Sequence, residues 1–127
     1  MSFFTASGAN AATCLRIKDN KEFALLFLSA NVFGDIPEIK GNSLDKIPSK
    51  DATHLVLYSD NEEIAARIID QSMDQIYATY APWLPNTVSL FTYHLDKVNR
   101  RLKEYITFFE NKVTVLYNEY LCTEITS

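Results

Sequence analysis

Residues 88–111 read VSLFTYHLDKVNRRLKEYITFFEN, and their apolar side chains recur at alternating steps of three and four. The set comprises Val88, Phe91, Leu95, Val98, Leu102, Tyr105 and Phe109. Spacing of this kind places side chains on one face of an α-helix. The pattern therefore predicts a long amphipathic helix over residues 87–111 that packs against another helix.

A preceding helix is predicted over residues 59–81. Ser59 and Glu62 have the spacing of a capping box, in which each side chain satisfies a backbone amide of the other. A core-facing stripe follows, formed by Ile64, Ile68, Met73, Ile76 and Tyr80. The prolines of the connector at residues 81–86 end this helix and fold the next one back against it, which predicts a helical hairpin.

The N-terminal part of the chain indicates β-structure. Residues 13–18 and 22–28 flank a turn-prone Asp-Asn-Lys, which is typical of a β-hairpin. A helix over residues 20–32 is the alternative, because residues 23–28 are all apolar and their periodicity does not separate the two structures.

Three further segments complete the prediction. Residues 53–58 read as a central strand, and residues 34–51, which contain Pro37, Gly41 and Pro48, as a long surface connection. Residues 113–122 begin with β-branched side chains and favour a final strand, with a continued helix as the alternative.

These elements predict an α+β fold in a single domain, residues 1–127. A small, mostly antiparallel sheet, made from the N-terminal hairpin and the central strand, would pack on the two long helices. An α/β fold with alternating strands and three helices is the alternative. The length of 127 residues agrees with one domain.

Composition excludes several classes of function. The net charge of −4 disfavours a nucleic-acid-binding protein, which needs a cationic surface, and favours basic partners. The longest apolar stretch, residues 23–33, is much shorter than the roughly 20 residues that span a membrane. We therefore expect a protein that is not embedded in a membrane.

The two cysteines, Cys14 and Cys122, lie near opposite ends of the chain. A reducing cytoplasm is the simplest interpretation, because no secretory signal and no glycosylation sequon accompany them. A disulfide between them is the alternative if the terminal elements meet in the fold.

The sequence contains none of the common catalytic, phosphate-binding or zinc-binding motifs. The two histidines, His54 and His94, are distant in sequence from each other and from both cysteines. We therefore predict no catalytic residue, no metal site and no cofactor. A small enzyme that assembles a Cys/His or carboxylate site only in the folded protein is one alternative.

The candidate binding residues are Asp70, Asp74, Tyr77, Tyr80 and Trp83. Tyrosine and tryptophan are effective interface anchors, and neighbouring carboxylates attract a basic partner. The leading hypothesis is a non-enzymatic cytoplasmic protein of the inhibitor, immunity or adaptor type. It would bind a basic protein through this acidic and aromatic surface.

Two further hypotheses accompany this one. A small-molecule-binding regulatory domain would hold its ligand between the sheet and the helical hairpin. The apolar stripe of the helix at residues 87–111 also suggests a homodimer through that helix, since the flanks of its first half are polar.

Overall fold

Eight antiparallel strands close into a barrel in the computed structural model, which describes residues 11–29, 49–80 and 89–125. The strands are β1 (Ala12–Arg16), β2 (Lys21–Leu28), β3 (His54–Tyr58), β4 (Glu63–Gln71), β5 (Gln75–Tyr80), β6 (Ser89–Asp96), β7 (Arg101–Phe108) and β8 (Val113–Cys122). Each strand pairs with the next along the chain, and β8 returns to pair with β1. A short 3₁₀ helix, Ser49–Asp51, precedes β3.

The predicted α+β fold is therefore wrong, and so is its α/β alternative. The helix predicted over residues 59–81 is replaced by β4 and β5, and the one over residues 87–111 by β6 and β7. Without those helices there is no helical hairpin, and a homodimer through the helix at residues 87–111 is excluded. The surface connection predicted at residues 34–51 is described only from Ser49 onward. The connector at residues 81–86, which includes Trp83, and Val88 lie outside the described residues.

The helical spacing at residues 88–111 does not reflect a helix, because these residues belong to two paired strands and the turn between them. Leu95 and Leu102 are seven residues apart, and they are also direct partners in the β6–β7 register. The turn between the two strands contains Val98, which is largely exposed rather than packed. Leu95 and Leu102 therefore both face the barrel interior because they are strand partners. Their separation of seven residues also fits one face of a helix, which explains the wrong prediction.

The capping box at Ser59 forms a different structure from the predicted helix start. Ser59 N donates to the backbone oxygen of Glu62 at 2.8 Å, which closes the β3–β4 turn. The Glu62 side chain reaches across to β1 and β2, where it pairs with Arg16 and Lys21. The carboxylate thus links strands instead of capping a helix.

Three predicted elements are confirmed. The N-terminal hairpin forms β1 and β2, residues 53–58 contain β3, and residues 113–122 form β8. The helical alternatives for β2 and for β8 are wrong. The apolar run of β2 arises because both of its faces are covered. Phe23, Leu25 and Phe27 face the interior, whereas Leu26 and Leu28 join a second cluster with Val56 and Ala65 on the outer face.

The turns β1–β2, β6–β7 and β7–β8 end in a left-handed residue. These residues are Asn20, Arg100 and Lys112, each with a φ of 57°. Asparagine adopts this conformation readily, whereas arginine and lysine pay a steric cost. The absence of glycine at these positions removed the usual sequence signal for a turn.

The two ends of the barrel differ in how their interior is filled. Turns β1–β2, β3–β4 and β7–β8 lie at one end, here called the cup end, and turns β4–β5 and β6–β7 at the other. Near the second end, large apolar side chains close the interior completely: Leu55, Ile76, Leu95 and Leu102 are at most 1% exposed. The polar residues Arg16, Glu104 and Asn118 line the interior toward the cup end, so a site inside the barrel opens there.

Candidate functional site

A cavity of about 280 Å³ occupies the barrel interior at the cup end, and we call it the cup. Its aromatic lining consists of Tyr80, Phe91, Tyr93, Tyr117 and Tyr120. Its polar and charged lining consists of Arg16, Lys18, Glu62, Glu104 and Asn118, and Ile64 completes it. A volume near the lower limit of ligand pockets fits a small organic molecule.

Glu104 is the buried carboxyl group of the cup. It lies on β7, where inward-facing positions alternate with outward ones, and its residue is 3% exposed. Tyr93 Oη on β6 donates to Glu104 Oε2, and Asn118 Nδ2 on β8 donates to Glu104 Oε1 at 2.7 Å. Neighbouring strands thus hold one donor on each carboxylate oxygen.

Two buried polar atoms of the cup have no hydrogen-bond partner: Asn118 Oδ1 and Tyr120 Oη. The Asn118 orientation follows from its donation to Glu104, which directs the amide oxygen elsewhere. Asn118 is 6% exposed and Tyr120 is fully buried, so neither can recover a bond from bulk water. Unsatisfied groups of this kind cost about 1–3 kcal/mol each, which marks the cup as incomplete.

Burial determines the protonation of two of the cup tyrosines, Tyr93 and Tyr120. It raises the pKa of Tyr93 far above its ordinary value, and the adjacent Glu104 carboxylate raises it further. Burial also raises the pKa of Tyr120, and Glu104 adds to that increase. The Arg16 guanidinium opposes the increase at Tyr120, although its geometry to Tyr120 Oη is not that of a hydrogen bond. Both phenols are therefore neutral hydrogen-bond groups at physiological pH.

Arg16 lines one side of the cup and donates to two acidic side chains. Its Nε and Nη2 donate to the two oxygens of Asp19 at 3.0 and 2.7 Å, and Nη1 donates to Glu62 at 3.1 Å. The guanidinium also lies 5.0 Å from the centroid of the Phe23 ring. Asp19, the hydrogen-bonded partner, raises the pKa of Arg16, whereas the pKa of Asp19 itself falls to about 2.

The predicted binding residues lie on both surfaces of the barrel wall. Asp70 on β4 and Tyr77 on β5 are register partners on the outer surface, and Asp74 lies in the turn between them. Tyr80 faces the cup instead, with its ring centroid 6.2 Å from that of Phe91. Trp83 lies outside the described residues. The structure thus joins Asp70 with Tyr77 but separates both from Tyr80.

The histidines and cysteines lie away from the cup. His54 on β3 is buried and shares a 2.8 Å hydrogen bond with Thr53 Oγ1, and burial lowers its pKa. His94 on β6 stacks on Tyr77 at the outer surface, with centroids 4.6 Å apart. Cys14 and Cys122 form a disulfide, which leaves no free thiol for a Cys/His pair. Within the described segments, no three metal-ligating side chains converge on one point.

Sequence reasoning missed Glu104, Asn118 and Tyr120. Their signal was the step of two in Leu102, Glu104 and Ile106 on β7, and in Asn118, Tyr120 and Cys122 on β8. Glu104 interrupts the apolar alternation of β7, and Asn118 precedes the inward-facing Tyr120 and Cys122 on β8. A polar residue at an inward position of such an alternation is the pattern that identifies the site.

Residues 11–29, 49–80 and 89–125 contain no helix that is long and apolar enough to cross a membrane. Comparison with known proteins yields no relative: no protein-family model, no curated protein and no solved structure matches this chain. The function of the cup therefore has to be inferred from its own residues.

Proposed function

We propose that this protein binds one small organic molecule in the cup. The observation that carries the proposal is a pair of buried, unpartnered atoms, Asn118 Oδ1 and Tyr120 Oη, on two residues that line an open cavity. Native proteins satisfy nearly all buried polar groups. A ligand that hydrogen bonds with these two atoms would remove their desolvation cost on binding.

The shape of the barrel interior supports this proposal. An eight-stranded barrel has an interior that side chains just fill, or that holds one small ligand. Here the side chains fill one end, and the cup occupies the other. Five aromatic side chains and a few convergent polar groups form the composition expected of a ligand pocket.

Binding without catalysis is part of the proposal. The cup lining includes no histidine, cysteine or serine among the described residues. Burial keeps Tyr93 and Tyr120 neutral, and Arg16 is occupied by Asp19 and Glu62. These properties suit recognition of a ligand better than proton transfer or nucleophilic attack.

Three monocyclic probes test the proposal: 2-phenylethanol, 2-phenylethylamine and 3-phenylpropionate. We expect at least one of them to bind, with amide NMR shifts concentrated at Tyr93, Asn118 and Tyr120. The Ile64→Trp variant should block the cup and abolish binding, whereas Ile69→Trp, on the outer surface of the same strand, should leave it unchanged. Binding that survives Ile64→Trp, or no binding by any probe, would contradict the proposal.

Protein recognition by the outer surface is the second candidate function. The observation in its favour is the exposure of Ile69 (60%) and Met73 (87%) beside Asp70, Asp74 and Tyr77. An apolar patch rimmed by carboxylates suits a basic partner. The Met73→Lys and Asp74→Lys variants should weaken binding to such a partner and leave the probes of the cup unaffected.

We also propose a cellular compartment for this protein. The cytoplasm was the interpretation of two unpaired cysteines, and the disulfide between Cys14 and Cys122 now favours a compartment where such bonds persist. Alkylation of the protein isolated without reductant tests this, since two modified cysteines would support the cytoplasm and none an oxidising compartment.

A further inference from the structure

We infer that the cup selects a protonated amine carried on a small aromatic body. This inference rests on the proposed function and adds the chemical class of the ligand. It follows from three features of the lining: an uncompensated carboxylate, an acceptor without a donor, and a continuous aromatic wall.

The carboxylate of Glu104 has no cationic partner. Among the described residues, the ion pairs join Arg16 to Asp19 and Glu62, Lys21 to Glu62, and Arg101 to Glu119. Tyr93 and Asn118 give Glu104 hydrogen bonds but no positive charge. A charge buried without a counter-charge is costly, and each of its oxygens can still accept another hydrogen bond. A ligand cation would compensate this charge.

The unpartnered Asn118 Oδ1 also favours a ligand that carries a hydrogen-bond donor. An amide oxygen accepts hydrogen bonds and cannot donate them. The same amide bonds Glu104 through its nitrogen, so Oδ1 lies in the immediate neighbourhood of the carboxylate. An ammonium group has three N–H donors and can therefore serve both oxygens.

An aromatic wall continues from these acceptors toward the mouth of the cup. The ring centroids of Tyr80 and Phe91 are 6.2 Å apart, and those of Phe91 and Tyr117 are 5.9 Å apart. Aromatic faces attract cations and stack on other rings. Lys18 Nζ already lies 5.3 Å from the Tyr117 centroid, which shows that this wall accepts a positive group.

An anionic ligand fits the cup less well. Glu104 would repel it at the buried end, and Arg16 already donates to both oxygens of Asp19 and to Glu62. Lys18 remains as a cation, but it is exposed at the rim, where water and salt screen its charge. The buried end, which has the larger electrostatic effect, therefore favours a cation.

The three probes also separate ligand class from ligand binding, because they share a phenyl ring on a short chain and differ in charge. We expect 2-phenylethylamine to bind wild-type protein at least about tenfold more tightly than 2-phenylethanol, and 3-phenylpropionate to bind most weakly, as measured by calorimetry at neutral pH. The Glu104→Gln variant should remove the preference for the amine while the alcohol still binds. Glu22→Gln, an exposed change of the same charge on β2, should preserve the preference.

Equal affinity for the amine and the alcohol, or tighter binding of the carboxylate, would overturn the amine inference while leaving the cup as a ligand site. Absence of binding by all three probes would overturn both. The comparison of probes on wild-type protein does not depend on any variant, so a Glu104→Gln protein that fails to fold would not remove the test.

Discussion

At the scale of single residues, Tyr93 and Tyr120 form a natural comparison. Both are almost completely buried, at 1% and 0% exposure, and both line the cup. Tyr93 Oη donates to Glu104, whereas Tyr120 Oη has no partner. The cost of removing a hydroxyl depends on whether a buried partner is then left unsatisfied.

Two conservative variants test this difference. Tyr93→Phe should lower the free energy of unfolding by about 1–3 kcal/mol, because Glu104 loses one of its two donors. Tyr120→Phe should leave that free energy unchanged or raise it, because no bond is lost. Urea unfolding of the two variants gives both values, and equal destabilisation would show that Tyr120 Oη is bonded in solution.

The Arg16 cluster predicts how stability depends on pH. The hydrogen bonds from Arg16 lower the pKa of Asp19 from 3.8 to about 2, and they also lower the pKa of Glu62. A carboxylate with a lowered pKa in the folded state stabilises the protein above its ordinary pKa, and this contribution is lost as pH falls through the lowered pKa.

The Asp19→Asn variant isolates that contribution. At pH 7 it should be less stable than wild-type protein, and the difference should shrink as the pH falls from about 4 to about 2, where wild-type Asp19 becomes protonated. Denaturant unfolding across this pH range measures the difference. A difference that stays constant down to pH 2 would mean that Asp19 acts only through local turn structure.

At the scale of elements, the sequence predicted β1, β2, β3 and β8 and missed β4 to β7, whose apolar residues have helical spacing. The β1–β2 hairpin had a polar turn between apolar runs, and β8 opened with β-branched residues. In β6 and β7 the turn residue with positive φ is Arg100 rather than glycine, and Glu104 breaks the alternation. The helix prediction for β6 and β7 rested on the spacing of their apolar residues, and the inward position of Glu104 follows only from the strand register.

Leu95 and Val98 distinguish the barrel from the predicted helix, because both belong to the helical stripe. In the barrel, Leu95 is fully buried and Val98 is 66% exposed in a turn. Leu95→Ala should cost about 2–5 kcal/mol, as for other large core side chains. Val98→Ala should change the free energy of unfolding by less than about 0.5 kcal/mol. If urea unfolding showed a similar loss of unfolding free energy in both variants, the predicted helix would be supported instead of the barrel.

At the scale of the whole molecule, closure depends on a short seam between the first and last strands. The β1–β8 register contains three residue pairs within the described residues, whereas β6–β7 and β7–β8 each contain eight. The seam includes Arg16 paired with Tyr120, so it also forms part of the cup. Because these strands are distant in sequence, closing the seam requires ordering nearly all of the intervening chain.

The disulfide between Cys14 and Cys122 lies in this seam and joins residues 108 positions apart. A crosslink over a loop of that length restricts the unfolded chain, which in the chain-entropy model stabilises the fold by about 4–5 kcal/mol. The double variant Cys14→Ala/Cys122→Ala should therefore lose about 2–5 kcal/mol in urea unfolding, the range found when native disulfides are removed. Reductant should lower wild-type stability to nearly the same value and leave the double variant unchanged. If reductant had no effect on wild-type protein while both thiols were shown to be free, strand pairing alone would be sufficient to close the barrel.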